Sequence, residues 1–180
     1  MEATLPTRRD PADSRHAAAR IRPARPDDCD AVADLVRALA RDTGADIVPK
    51  ATGDELRANL FGPAPLLRLL VAEAPDGALA GYCLTLLLFS TWRDARGLHV
   101  IDLYVVPERR SAQLGQRLLA RAATDGLAEG ARFMRLEVER GNARTEAFYE
   151  GLGFKRKDNE VQYSLDPTPM TALAAMKDTP

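Results

Sequence analysis

Apolar residues recur every three or four positions near the start of the chain, which predicts an amphipathic helix. They are Val32, Leu35, Val36 and Leu39. Pro26 and the aspartates after it mark the helix start, because proline suits the first turn and acidic side chains favour the positive end of a helix. Gly44 is its expected end. A second helix is predicted over residues 53–61, with Thr52 as its cap and a Gly-Pro pair as its end.

Runs of apolar and β-branched residues bounded by glycine and proline predict the strands. These are residues 18–24, 66–74, 79–92, 97–106, 133–139 and 160–165. The second and third runs are separated only by the turn Pro75-Asp76-Gly77, so they should pair as an antiparallel hairpin.

The second half of the chain adds a helix over residues 112–129, ending at Gly130, and another over residues 142–152. The predicted order is therefore β-α-α-β-β-β-α-β-α-β. A meander comes first, and a right-handed strand–helix–strand crossover follows it. The expected fold class is α/β with a mixed sheet (α+β in character) and helices on both faces. We expect a disordered leader over residues 1–17, a single domain over 18–165 and a tail over 166–180, in which "MTALAAM" has the composition of a short helix.

Composition narrows the class of protein without naming an activity. The chain has 180 residues, of which 46% are hydrophobic and 28% charged, as in an ordinary globular domain with one core. A net charge of −1 indicates no general nucleic-acid footprint. Cys29 and Cys83 lack metal-ligand spacing, so no metal is expected, and they suggest reduced thiols in a cytoplasmic protein. The longest apolar run, 83–89, is too short to span a membrane.

The stretch "VVPERRSAQLGQRLL", residues 105–119, carries the first chemical signal. It places a strand end and two arginines before a helix, whose first-turn N–H groups and dipole together bind anions, phosphates above all. Arg110 adds a forked cationic donor. No G-x-x-x-x-G-K-[ST] and no G-x-G-x-x-G after a strand is present, so a P-loop and a dinucleotide fold are disfavoured. Taken alone, Arg109 and Arg110 could equally be solvated loop charges.

A second segment changes that balance. In "GNARTEAFYEGLGF", residues 141–154, Asn142 stands where it can cap a helix, and Phe148 and Tyr149 follow about two turns later. With "LYVVPERR…LGQRLL" and the order of elements, this segment resembles the GCN5-related N-acetyltransferases (GNAT family) from Ala19 to Leu165. The resemblance implies the acyl-CoA N-acyltransferase fold, in which antiparallel N-terminal strands precede a parallel fourth strand–helix–fifth strand unit that splays open.

The resemblance also implies a site for acetyl-CoA as co-substrate. The family's pyrophosphate loop, [RQ]-x-x-G-x-[GA], matches at Arg110 and Gly115, whereas Ser111 and Gln113 stand where glycines are usual. A larger residue still donates its N–H but limits how closely phosphate approaches and loses freedom at positive φ. The implied coenzyme-binding residues are the backbone of Leu103, Tyr104 and Val105, together with Arg110, Ser111, Ala112, Gln113, Leu114, Gly115, Gln116 and Asn142.

"LLLFSTWRDARGLHVIDLYVVPE" is closest in pattern to the diamine (spermidine/spermine-type) branch. That branch carries an acidic pair in the fourth strand, and here the pair reads Ile101-Asp102, so one acid is missing. A lysine-like amine with a pKa near ~10.4 must lose a proton before it attacks. Asp102 is the expected base and Tyr149 the expected acid for the leaving thiolate. Glu137 and Glu139, which should share one face of the neighbouring predicted strand, are alternative bases. Asp102 and these two glutamates could each equally be structural or surface acids. Tyr149 could be packing, Asn142 could be only a cap, and His99 is expected to be a surface or packed strand residue.

The resemblance therefore implies direct acetyl transfer from acetyl-CoA to a primary amine of a small molecule, a polyamine or another amine. Two alternatives remain open at this point. One is a coenzyme A-binding module with weak or no catalysis, which Ser111, Gln113 and Ile101 motivate; the other is acetylation of a protein amine. A homodimer is the further expectation from the family. The carboxylates of the acceptor site would come from Asp102, Glu73, Glu137 or Glu139.

Overall fold

The computed structural model describes residues 19–110, 113–139 and 141–176. The predicted leader, residues 1–17, lies outside them. The chain divides into two compact units, residues 1–139 and 140–180, and each is described by itself below.

The first unit contains a five-stranded sheet in the order β1-β2-β3-β4-β5. The strands are β1 (Arg20–Pro23), β2 (Arg68–Glu73), β3 (Leu79–Ser90), β4 (Ala95–Val105) and β5 (Ala131–Leu136). Strands β1 to β4 pair antiparallel with their neighbours, whereas β5 is parallel to β4. The predicted mixed sheet, with a meander followed by a parallel crossover, is therefore confirmed. β5 begins earlier than predicted and ends at Leu136, so Glu137 and Glu139 follow the strand rather than share one of its faces.

Helices α1 (Cys29–Thr43), α2 (Gly53–Phe61) and α3 (Leu114–Ala128) complete the first unit. Their ends follow from local chemistry. Gly44 ends α1 in the left-handed conformation, with φ 68°. Thr52 caps α2: its hydroxyl accepts from the Glu55 N–H at 3.2 Å while its own N–H donates to the Glu55 carboxylate at 2.9 Å.

Two apolar layers hold the helices to opposite faces of the sheet. On one face, α1 and α2 bury Cys29, Val32, Ala33 and Leu56 against Leu69, Val71, Tyr82, Leu84 and Tyr104. The other face carries Leu70 and Cys83, which alternate with the residues just named, and Val100, which lies beyond a register shift in β4. There α3 presents the buried residues Leu114, Leu118, Leu119 and Ala122. The helices on both faces are as predicted.

A buried arginine ties the start of α1 to the first two strands. The side chain of Arg22 is only 8% exposed and makes bidentate contacts with Asp28, at 2.7 and 3.0 Å, and with Glu73, at 2.8 and 3.0 Å. Arg22 holds the pKa of both carboxyls below their ordinary values. This network engages Glu73, which the sequence left as a candidate for the acceptor site.

The second unit contains α4 (Ala143–Gly151) and α5 (Pro167–Ala174). The final strand predicted over residues 160–165 is wrong, since this segment is irregular. Val161, Tyr163 and Leu165 do alternate as a strand would, but their side chains are exposed, and the segment pairs with no described strand. An extended segment becomes a strand only when its backbone groups find a partner. A short helix near "MTALAAM" does form, beginning at Pro167.

Candidate active site

β4 is longer than its pairing with β5. The two strands pair from Arg96 to Val100, where Val100 faces Leu136, whereas β4 remains paired with β3 as far as Val105. Residues 101–105 therefore present an open edge on the β5 side, with no described strand against it. This is the predicted splay between the fourth and fifth strands.

The backbone groups along this edge alternate in direction. The N–H of Val106 donates to the Ala80 carbonyl at 3.0 Å. Because hydrogen-bonded and non-bonded pairs alternate in an antiparallel ladder, the Tyr104 groups face β3, and those of Leu103 and Val105 face the open edge. The Val105 carbonyl accepts from Arg110 Nε at 3.0 Å, which agrees with that direction. An extended amide-bearing chain could pair with Leu103 and Val105 as an added strand.

A bulge at Ile101 sets the direction of the one acidic residue in β4. Leu84 pairs with Asp102 and Thr85 with Val100, so Ile101 is the extra residue on β4. Ile101 is exposed, and Asp102 shares the face of Leu84, toward α1 and α2. The sequence contained no signal for this bulge.

The Asp102 carboxyl lies beside a buried tyrosine. The Tyr82 hydroxyl donates to Asp102 Oδ2 at 3.4 Å, and Tyr82 itself is completely buried. Burial raises the pKa of Asp102, and the hydrogen bond from Tyr82 lowers it in part. The pKa of Tyr82 is raised, chiefly by burial, so its hydroxyl keeps its proton. A carboxylate with a raised pKa is better suited to accept a proton near neutral pH than an exposed one.

Arg110 is engaged with the protein. Its guanidinium forms an ion pair with Asp42 at the end of α1, donates to the Val105 carbonyl, and lies over the Tyr104 ring at 5.6 Å from the centroid. Tyr104 also donates to Asp42, at 3.0 Å. Arg110 therefore links the end of β4 to α1. Nothing in the sequence indicated that Asp42 would be its partner in this contact.

The turn into α3 adopts the conformation that a glycine would favour. Gln113 has φ 53° and ψ 20°, in the left-handed region. The N–H of Arg117 donates to the Gln113 carbonyl, so helix geometry leaves the amides of Leu114, Gly115 and Gln116 for an external acceptor. The Leu114 side chain itself packs in the core. Ser111 and Ala112 lie outside the described residues.

In the second unit, Asn142 Oδ1 accepts from the Thr145 N–H at 3.1 Å and caps α4. Asn142 therefore does act as a helix cap, the alternative role that the sequence left open. Tyr149 is half-buried, with edge-on contacts to Phe148 and Phe154 at centroid distances of 5.1 and 5.5 Å.

His99 and Glu137 form a pair that the sequence did not indicate. His99 Nε2 lies 2.8 Å from Glu137 Oε2, and Arg135 Nε lies 3.3 Å from His99 Nδ1. The side chain of His99 is 18% exposed, so the expectation of a packed strand residue holds, but its polar contacts exceed that expectation.

The Ser-Thr-Trp run ends β3, and Trp92 is fully exposed in the β3–β4 turn. Beside this turn lies a cleft of about 670 Å³ whose lining includes Phe89, Arg93, Arg96 and Arg132. The cleft lies at the start of β4, whereas the open edge lies at the other end of that strand. It is therefore separate from the site built around Asp102. No described helix is long and apolar enough to cross a membrane.

The parallel strands β4 and β5 splay apart, the edge of β4 is open on the β5 side, and α3 begins after the end of β4. Together these features define an acyl-CoA N-acyltransferase fold. Comparison with known proteins agrees. Residues 33–154 match the acetyltransferase (GNAT) family. The chain is 34% identical over 140 residues to thialysine N-epsilon-acetyltransferase of Bos taurus, covering 74% of this chain and 82% of that protein. The Mus musculus protein of the same name is 34% identical over 144 residues, covering 76% and 84%.

Solved structures show the same fold. An integron cassette protein from V. cholerae superposes with a TM-score of 0.72 at 17% identity, covering 88% of this chain and 99% of that one. A possible acetyltransferase from Clostridium difficile 630 gives 0.67 at 25% identity, covering 83% and 99%. The chain belongs to the GNAT family and is an acetyl-CoA-dependent N-acetyltransferase.

Proposed function

We propose that this enzyme transfers the acetyl group of acetyl-CoA directly to a primary amine of a small molecule, a polyamine or a related diamine. The observation that carries the proposal is the open edge of β4 at residues 101–105, a segment that includes Asp102. The relatives that act on thialysine, itself a small amine, support the acceptor class.

The coenzyme would lie along the open edge. Leu103 and Val105 direct backbone groups outward there, which suits the amides of the pantetheine arm, and a backbone N–H would polarise the thioester carbonyl. The amides of Gln113 to Gln116 would receive the pyrophosphate. Arg110, just before these amides, is held by the Val105 carbonyl and the Asp42 carboxylate, and it adds positive charge. The family resemblance also assigns Ser111, Ala112 and Asn142 to coenzyme binding.

Asp102 would take the proton of the acceptor amine. A protonated amine has no free electron pair, and its pKa of about 10.4 keeps it charged at neutral pH. Burial strengthens Asp102 as a base by raising its pKa. The freed nitrogen then attacks the thioester carbon; a C–N bond forms and the C–S bond breaks.

Tyr149 would return a proton to the leaving thiolate. Its ring is fixed by Phe148 and Phe154, which supports a defined hydroxyl position. A phenol hydroxyl within reach of the sulfur can act as the general acid for a leaving thiolate.

Turnover of acetyl-CoA against an amine panel tests the proposal, with released thiol as the readout. We expect activity on polyamines or short diamines and little on lysine peptides. A flat response across polyamines, amino acids and peptides would overturn it. In that case calorimetry with acetyl-CoA separates a coenzyme-binding module from a protein that no longer binds the coenzyme.

Tyr149→Phe tests the acid. We expect kcat to fall by about 100-fold, because general acid catalysis contributes at least that much, whereas the Kd of acetyl-CoA should change little. Equal losses in kcat and coenzyme affinity would instead indicate a packing role. Phe148→Leu is the control for disturbed packing in α4.

The cellular setting is also proposed rather than observed. Cys29 and Cys83 are buried free thiols, which supports a reducing, cytoplasmic location. The exposed apolar side chains of Val161, Tyr163 and Leu165 support a homodimer, since such side chains are commonly covered by a partner. We propose no nucleic-acid or membrane partner.

A further inference from the structure

The bulge in β4 places two residues side by side that ordinary alternation would separate. His99 pairs with Leu86 and Asp102 with Leu84. Leu84 and Leu86 are two apart on β3 and share a face, so His99 and Asp102 share it as well. Because Ile101 is the extra residue, His99 and Asp102 occupy consecutive positions on that face, roughly 7 Å apart along the strand.

The partners of His99 decide which of its nitrogens carries the proton. Arginine only donates, so the Arg135 contact at 3.3 Å makes Nδ1 the acceptor. Nε2 then carries the hydrogen and donates it to Glu137 at 2.8 Å. Arg135 and His99 thus form a chain of hydrogen bonds that ends on the Glu137 carboxylate. His99 is mostly buried, while the Glu137 side chain is 53% exposed, so a fixed imidazole holds a carboxylate that a ligand can reach.

The candidate acidic residues differ in whether they are available to bind an acceptor. Ile101 stands where the diamine-type pattern has an acid, and Glu73 is held by Arg22. Asp102 is on the β4 face, and Glu137 is attached to the next position of that face through His99. Glu137, in the segment directly after β5, is therefore placed to supply the negative charge that position 101 lacks.

We propose that Glu137 is a specificity-determining residue that binds the second, protonated amino group of a diamine acceptor, with His99 and Arg135 as its positioning residues. This rests on the proposed function, in which Asp102 deprotonates the first amino group. The second ammonium keeps its proton and pairs with Glu137. Because Glu137 is held through His99 at the position next to Asp102, a short aliphatic diamine is the acceptor that could reach both carboxyls.

The test compares 1,4-diaminobutane with 1-aminobutane, which lacks the second charge. We expect Glu137→Gln to lower kcat/KM for the diamine at least tenfold, mainly through KM, and to leave the monoamine unchanged. Asp76→Asn removes the same charge from the exposed β2–β3 turn and should change neither. His99→Leu should reproduce part of the loss, and His99→Gln, which keeps a donor, should recover some of it. Far-UV circular dichroism and thermal unfolding confirm that each variant folds.

Equal losses for both amines, or no loss for the diamine, would overturn the role of Glu137. A separate calorimetric titration of 1,4-diaminobutane into the wild type and Glu137→Gln does not depend on turnover. If the wild type acetylates no amine, the proposed function fails. Weaker diamine binding by Glu137→Gln would still support the inference, and unchanged binding would contradict it.

Discussion

At the scale of single residues, the acceptor side of the site depends on a carboxyl group that is costly to keep. Asp102 has a raised pKa because it is buried, and among the described residues the Tyr82 hydroxyl partly offsets that cost. The native state therefore binds the Asp102 proton more tightly than the unfolded chain does. Ionisation of Asp102 lowers stability as the pH rises from the ordinary aspartate range through the raised pKa.

Asp102→Asn should separate activity from stability. We expect kcat/KM to fall by about 100-fold or more, because the base is lost. The free energy of unfolding should stay level or rise at pH 7, since a neutral amide is less costly to bury than a carboxylate. Urea unfolding at several pH values checks this, and the advantage of the variant should disappear below the ordinary pKa of aspartate.

Tyr82→Phe is the matched control for that result. It removes the hydrogen bond that lowers the pKa of Asp102, so the acidic limb of the kcat/KM profile should move to higher pH. A limb that stays in place would show that Asp102 is not the base.

Gln113 is a second residue that is costly to keep, because its backbone is in a conformation that favours glycine. Its left-handed backbone, φ 53°, costs a residue with a side chain about 1 kcal/mol relative to glycine. We expect Gln113→Gly to be more stable than Gln113→Ala by about that amount in thermal unfolding. The glycine variant should also bind acetyl-CoA more tightly, because the backbone can approach phosphate more closely. Equal stability of the two variants would contradict the assigned strain.

At the scale of elements, β1, β2 and the start of α1 are joined through Arg22. Removal of this side chain leaves Asp28 and Glu73 without their shared cation. We expect Arg22→Ala to cost about 3 kcal/mol of stability at pH 7. Arg20→Ala, on the same strand but exposed, should cost little.

The pH dependence of that loss has a defined sign. Asp28 and Glu73 have lowered pKa values, so their contribution is complete above the ordinary carboxyl range and is lost as the pH falls through the lowered values. The difference between wild type and Arg22→Ala in urea unfolding should therefore shrink on acidification. A constant difference would indicate that packing, not charge, is lost.

At the scale of the whole molecule, the apolar side chains of residues 160–165 are the feature that predicts assembly. Val161, Tyr163 and Leu165 alternate with polar residues and are exposed. We expect sedimentation velocity to give a dimer for the wild type and a monomer for the double variant Val161→Asp, Tyr163→Asp. Gln162→Asp, on the opposite side of the alternation, should remain a dimer. A wild type that is monomeric at every concentration would refute the proposal.

Local patterns in the sequence were enough to predict most elements of this protein. Gly44, Thr52 and Gly130 end or begin helices through their own backbone and side-chain chemistry, which neighbours in sequence supply. The apolar runs bounded by glycine and proline predicted five of the strands for the same reason. The pattern over 160–165 predicted a sixth strand wrongly, since alternation does not supply a pairing partner.

Only the tertiary structure decided how the site residues meet. The sequence alone predicted Asp102 and Arg110 as site residues and marked Gln113 as standing where a glycine is usual, because each lies within one short motif. The bulge at Ile101, the contact of Arg110 with Asp42 and the pairing of His99 with Glu137 depend on strand register and on residues far apart in the chain. The apolar pattern of each element is the same whichever element packs against it, so the pattern does not predict these contacts.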